Sequence, residues 1–336
     1  MSDRTATFER SADDGSQVKR RREGTVHVLR TLGMLPVLVM LCIGFYVLNE
    51  RFLTFQNLSI VLQQAAINTV LASGMTFVIL TAGIDLSVGS VLAASAMAAV
   101  WVSLTPGFDQ FGILAGLAMG LGLGLVNGVL IALLRLPPFI VTLGMLTAVR
   151  GIARLIGNDK TLVNPDLSFA WLGNSQLLGI HSLVLVALAV VLVSWWVLRF
   201  TVLGMRIYAL GGNAAAARLA GIRVWQVLLL VYAYAGLLAG IGGVMSASRL
   251  YSANGLQLGQ SYELDAIAAV ILGGTSFIGG IGSIWGTVIG AMIIAVLSNG
   301  LILTGVPDIY QYIIKGMVIV AAVAIDRLRM TGTSPA

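Results

Sequence analysis

Charge is what this chain has least of. Of its 336 residues only 10% are Asp, Glu, Lys or Arg, against 58% hydrophobic, and the mean hydropathy is +0.95. A soluble domain carries about a quarter of its residues as charges to face water, so a soluble fold is excluded. There is one cysteine, Cys42. Disulfides within the chain are therefore excluded, and Cys42 reads as a small lipid- or core-facing residue. The two histidines, His27 and His181, have no partner at metal-ligand spacing, so a zinc site is not expected. The phosphate-binding G-x-x-x-x-G-K-[ST], the nucleophile elbow G-x-S-x-G and the zinc motif H-E-x-x-H are all missing. No enzymatic activity is expected, and any ATP consumed is bound by another subunit. Short alternating strands are also missing, which excludes an outer-membrane barrel.

What is present is a series of long apolar blocks separated by short polar segments, as bilayer spans require. The expected fold class is an all-α polytopic membrane bundle of about ten transmembrane helices with broken helices and a cytoplasmic coupling helix. Spans are expected near 32–48, 58–80, 85–104, 111–134, 139–156, 177–198, 226–246, 264–281, 284–304 and 310–326. Residues 1–30 read as a disordered basic cytoplasmic tail, 31–328 as the transmembrane domain with a cytoplasmic loop over 199–225, and 329–336 as a second tail. The first block ends in Asn49-Glu50-Arg51 without a small-x-small cleavage site, so it is expected to stay in the protein as the first helix.

The formal net charge of +6 does not point to nucleic acid. Much of it sits in Lys19-Arg20-Arg21-Arg22 and Arg30, just ahead of the first span, where it anchors the chain beside anionic lipid. With the amino end inside, fourteen of the twenty basic residues fall on the inner side, which predicts two cytoplasmic termini. The long tail alone supplies half of those fourteen.

Glycine spacing says how the helices meet. Gly112, Gly116, Gly120, Gly124 and Gly128 recur every four residues, lining one face of the fourth span and inviting close backbone approach. Gly236 with Gly240, and Gly282, Gly286 and Gly290, repeat the pattern later.

Three segments interrupt the apolar background. In Thr81-Ala82-Gly83-Ile84-Asp85-Leu86-Ser87-Val88-Gly89-Ser90 a carboxylate lies at membrane depth, at a cost of about 3 kcal/mol or more, so Asp85 must face protein or water. Either Asp85, Ser87 and Ser90 offer hydrogen bonds to a polar solute at a broken helix, or Asp85 caps the third span; the two are compatible. The second segment, Gly211-Gly212-Asn213 through Gly221, reads as a short cytoplasmic helix. The glycine pair breaks the chain before it, Asn213 caps it, the alanines favour it and Gly221 ends it. Such a helix is a lever for another protein, or an interfacial anchor. In the third segment, Glu263 and Asp265 fall in the first turn of a helix, where negative charge suits the macrodipole; a role toward substrate is the alternative. The following Gly273-Gly274-Thr275-Ser276 and Gly279-Gly280-Ile281-Gly282-Ser283 have no lysine behind them and are expected to turn the chain at or within the membrane. Arg150, about 18 Å along the fifth span from Pro138, snorkels, pairs with an acid or donates to a solute. Asn127 and Asn299 are intramembrane amides, a type that more often joins helices than contacts a ligand.

At these residues the sequence resembles the membrane subunit of bacterial sugar importers of the ATP-binding-cassette class, the ribose/xylose-type permeases. The matching stretches are Gly83-Ile84-Asp85-Leu86-Ser87-Val88-Gly89, Pro137 to Gly144, Gly211 to Gly221, and Tyr262 to Ser276, in order, and the resemblance covers about residues 35–326. It implies a homodimeric permease in the bacterial inner (plasma) membrane, two cytoplasmic P-loop ATPase subunits that use ATP and Mg, and a periplasmic sugar-binding protein. This chain itself would bind no cofactor. The resemblance makes the loop helix the ATPase coupling segment, with Gly212, Asn213, Ala216, Arg218 and Gly221 as its residues. The family usually has Glu after the asparagine, where this chain has Ala214, so one carboxylate contact is missing. Asp85, Ser87, Ser90, Asn127, Arg150, Glu263 and Asp265 are the candidate pathway residues. An ion-coupled secondary transporter using Asp85, Glu263 or Asp265 is the rival expectation, and a scaffold protein is another.

Overall fold

The computed structural model describes residues 34–331. The tail expected over 1–30 lies outside the described residues, as does most of the one expected over 329–336.

The chain is a helical bundle. In order, α1 spans Leu35–Leu48, α2 Phe55–Leu80, α3 Val88–Ser103, α4 Gly112–Ala132 and α5 Pro138–Ile156. The one-turn α6 spans Trp171–Asn174 and α7 Ser182–Phe200. Next come α8, Val202–Gly212, α9, Ala214–Leu219, and α10, Val224–Leu250. Last are α11, Tyr262–Leu272, α12, Ile284–Leu303, and α13, Asp308–Thr331. By length and composition, six helical segments among the described residues are able to cross a membrane: Phe55–Leu80, Asp109–Ala132, Pro138–Ile156, Ser182–Phe200, Val224–Leu250 and Ile284–Leu303. α1 and α3 are apolar but shorter.

Local chemistry sets the helix starts. The Thr54, Thr201 and Ser283 hydroxyls accept from the free amides of Asn57, Gly204 and Gly286 at the heads of α2, α8 and α12. α5 opens on Pro138, which needs no amide partner in the first turn. Four two-residue strands close one end of the bundle. Leu162–Val163 pairs with Ser252–Ala253, and Gln176–Leu177 pairs with Ile180–His181.

The core is formed by α2, α3 and α10, with Leu71, Met75, Leu92, Met97 and Met245 fully buried. Outward, α1, α5 and α7 present apolar residues such as Val47, Leu155 and Val193, the surface expected toward lipid. The glycine faces of α4 and α10 meet each other. A Cβ at Gly120 would lie 2.6 Å from the Gly240 Cα, and one at Gly124 would lie 2.8 Å from the Gly236 Cα. The backbones therefore touch, as small-residue seams allow.

Three sequence expectations are corrected. The span expected over 264–281 ends at Leu272, because Gly274, Gly279 and Gly280 take positive φ of 84°, 97° and 73° and the chain turns there. The span expected from 177 begins at Ser182, since residues 176–181 form the small hairpin. Gly211 and Gly212 do not break the chain before the loop helix: α8 runs through both, and the break falls at extended Asn213 (φ −158°).

Candidate functional site

The residues of the Asp85 segment come together as a closed polar knot between α2 and α3. Asp85 Oδ1 accepts from the Ser87 amide at 2.8 Å and from its hydroxyl at 2.6 Å. Asn127 on α4 donates to the Ser87 Oγ at 2.9 Å. Ser87, not Asp85, occupies the N-cap position of α3, so the carboxylate serves the helix start from two residues upstream. One turn on, Ser90 Oγ donates to the Leu146 carbonyl at 2.7 Å, tying α3 to α5. Asp85, Ser87, Ser90 and Asn127 are all buried.

Arg150 is held elsewhere. It donates to the carbonyls of Gly255 at 3.2 Å and Leu258 at 2.6 Å, fixing the segment that leads from α10 into α11. Glu263 closes against the head of α3, where a Cβ on Gly89 would collide with its carboxylate and with the Gly259 carbonyl. Both Glu263 and Asp265 lie in the first turn of α11, the favourable end of its dipole.

Asp265 belongs to a separate feature. Its Oδ2 accepts from Lys315 Nζ on α13 at 3.0 Å. The pair borders a cavity of about 200 Å³ whose wall also carries Gln64 and Asn68 of α2, Arg249 of α10 and Tyr262 of α11. None of the knot residues borders this cavity. Sequence reading missed Lys315, Arg249, Gln64 and Asn68 as site residues. The signal for Lys315 was present, as a lone cation inside an apolar block. Among the described residues no group of three or more His, Cys, Asp or Glu is arranged to hold a metal ion.

The loop helix α9 is built as its composition predicts. Asn213 Oδ1 accepts from the Ala216 amide at 3.0 Å, and Gly221 (φ +81°) leads the chain out after Ala220. Arg218 shares a groove of about 590 Å³ with Arg135 and Trp225. Behind α9, the end of α2, the turn 273–283 and α8 are tied together. The Gly280 amide donates to the Leu80 carbonyl at 3.0 Å, and Tyr208 of α8 donates its hydroxyl to the Gly282 carbonyl at 2.9 Å. A Cβ on Gly280 would lie 2.7 Å from the Gly212 amide nitrogen, and one on Gly211 would collide with the Leu80 carbonyl. The end of α2, the turn 273–283 and α8 thus meet backbone to backbone.

This assembly of broken helices, interhelical ion pair and capped loop helix coincides with a sequence family. Residues 57–323 match the family described as the branched-chain amino acid transport system / permease component. The chain belongs to that family. It is 45% identical over 284 residues to the ribose import permease protein RbsC of Escherichia coli K12, covering 83% of this chain and 88% of that one. To the RbsC protein of Bacillus subtilis it is 43% identical over 314 residues, 93% of this chain and 97% of the relative. The D-allose transport system permease protein AlsC of Escherichia coli K12 is 40% identical over 281 residues, 83% and 86% of the two chains. No solved structure gives a significant match. All of α3 through α12, and α2 from Asn57 onward, lie inside the permease match.

Proposed function

We propose that this permease is the membrane subunit of an ATP-driven importer that carries a monosaccharide, ribose or a related sugar, through an alternating-access pathway. The observation that carries the reading is its 45% identity to a ribose import permease across 83% of the chain. The family description speaks of branched-chain amino acids, whereas the closely matching relatives are named for ribose, allose and galactose. We follow the relatives, because identity of 37–45% over most of both chains bears on substrate more directly than a description spanning a broad family.

On this reading two copies of the permease sit in the inner membrane with both termini cytoplasmic. A cytoplasmic ATPase docks on α9 and consumes ATP with Mg, and a periplasmic binding protein delivers the sugar. α9 supports docking by its cap, its exposed Leu219 and the cationic groove beside it. Without the family's usual carboxylate at Ala214, Arg218 and Arg135 become the charged contacts. An ion-coupled mechanism has less support, since the carboxylates of Asp85 and Asp265 already have partners within the chain.

The test is purification from the native host followed by reconstitution. A P-loop ATPase should co-purify in stoichiometric amount, and its hydrolysis should rise with a sugar-loaded binding protein. A chain that comes out alone and moves solute under an ion gradient overturns the importer.

A further inference from the structure

The Asp265–Lys315 pair joins the first turn of α11 to α13. Asn68, on the same cavity wall, is about 20 Å along α2 from Phe55, half the length of that helix at 1.5 Å per residue. Ionised side chains at such depth are costly and face protein or water-filled space. This pair does the second: the side chains of Lys315 and Asp265 are 23% and 15% exposed, and both border the cavity. A brace between α11 and α13 would be made at least as well by packed apolar side chains, because desolvation offsets most of what a buried ion pair gains.

The rest of the wall is polar in a particular way. Asn68 Oδ1 is buried with no hydrogen-bond partner, leaving an acceptor unused. Arg249 adds donors, and Gln64 and Tyr262 can both donate and accept. The wall therefore presents carboxylate and amide acceptors beside ammonium and guanidinium donors, around about 200 Å³, the space of some six or seven waters. A hydroxyl group both donates and accepts. A small neutral polyol can insert between Asp265 and Lys315, accept from one and donate to the other, and leave neither charge uncompensated. A charged solute would neutralise one partner and strand the other.

We propose that this cavity, spanned by Asp265 and Lys315 and bordered by Gln64, Asn68 and Arg249, holds the hydroxyls of a neutral monosaccharide during passage, with the ion pair opening to admit it. The inference rests on the importer reading and adds residues and a recognition chemistry to it.

The experiment uses the whole complex in proteoliposomes, driven by ATP, with ribose and a set of ribose analogues each lacking one hydroxyl. Saturating the complex with loaded binding protein removes that protein's own discrimination from the turnover rate. In the wild type at least one deoxy analogue should turn over about tenfold more slowly than ribose. In Asp265→Asn and Lys315→Met that ratio should shrink to about twofold. The exchanged pair Asp265→Lys with Lys315→Asp should restore abundance without restoring the ratio. If a neutral variant fails to assemble, Asp265→Glu and Lys315→Arg keep both charges and carry the same measurement, with a change of at least threefold in the ratio expected. An unchanged ratio in every assembled variant overturns the proposal and leaves the pair a brace, as does a wild type indifferent to every missing hydroxyl. A wild-type complex that moves no sugar at all with ATP is a different failure, that of the importer reading.

Discussion

Asn57 and Asn299 exchange amide hydrogen bonds across the interface of α2 and α12: Asn57 Nδ2 donates to Asn299 Oδ1 at 2.9 Å, and Asn299 Nδ2 returns the bond at 3.1 Å. Both are buried, and Asn57 Nδ2 also donates to the Phe52 carbonyl at 2.8 Å. Interhelical polar contacts in membranes are worth about 0.6–2 kcal/mol. Asn299→Leu is expected to lower stability by about 1–2 kcal/mol, and Asn57→Leu by more, since it also leaves the Phe52 carbonyl without its donor. Thermal unfolding in one detergent ranks them; equal losses would show that the Phe52 bond contributes nothing.

The α4–α10 seam allows an internal comparison. Gly124 is in backbone contact with Gly236, whereas a Cβ on Gly122, on the same helix, would meet nothing within 4 Å. Gly124→Val should abolish or greatly reduce folded protein, and Gly122→Ala should leave abundance within about twofold of wild type. Size-exclusion recovery after solubilisation distinguishes the two, and normal recovery of Gly124→Val would mean that the helices separate at little cost.

Asp85 can be tested for charge apart from shape. Asp85→Asn keeps an oxygen to accept from Ser87, while Asp85→Leu strands a buried amide and hydroxyl at about 1–3 kcal/mol. The first should fold and transport nearly as wild type, and the second should lose stability before it loses coupling. Asp85→Asn that folds normally yet loses uptake would assign the negative charge itself to the transport cycle.

Arg218→Glu reverses the charge on α9 without touching the Asn213 cap. ATP hydrolysis should become uncoupled from uptake at normal abundance of the permease. Normal uptake in that variant removes α9 from the docking surface.

Just past the end of α5, Asp159 is held by Arg154 of that helix's last turn in a two-bond pair at 2.6 and 2.7 Å. Those hydrogen bonds, with the attraction of the guanidinium adding to them, hold the Asp159 carboxyl below the usual carboxylate range. The contribution to stability is therefore present above the unfolded value of about 3.9 and lost as pH falls through the lower folded value. Both groups are fully exposed, so the effect is small. The difference in Tm between wild type and Arg154→Gln should narrow as pH drops below about 4; a constant difference down to pH 2 would show that the pair is worth nothing.

How far the sequence could be read follows from what composition registers. Apolar blocks and four-residue glycine spacing are written directly into the chain, so the helical bundle and the α4 seam were legible. Hydropathy cannot tell a glycine-rich apolar turn from a glycine-rich apolar helix, which is why the end of α11 at Leu272 was missed. Gly211 and Gly212 look like helix breakers because propensity is a local property. Their actual role, contact with Leu80 and Gly280, depends on residues more than sixty positions away. The pairing of Lys315 was not legible, because nothing near it in sequence says that Asp265 will lie opposite. Asp85 was legible as a buried carboxylate serving a helix start, but the bond from Asn127 to Ser87 that completes the knot depends on how α3 packs against α4.

The contact of Leu80, Gly211 and Gly280 involves no side chain on the glycine side. Side chains between two moving parts act as springs, since a rotamer change absorbs a displacement of an ångström or so without passing it on. Bare backbone has no such slack. On the proposed docking of an ATPase at α9, a push there would reach α8, the floor of α2 and the turn before α12 as a displacement of nearly the same size. Adding one methyl group there would do more than crowd the joint: it would change its compliance and, on the importer reading proposed above, the stroke delivered per ATP.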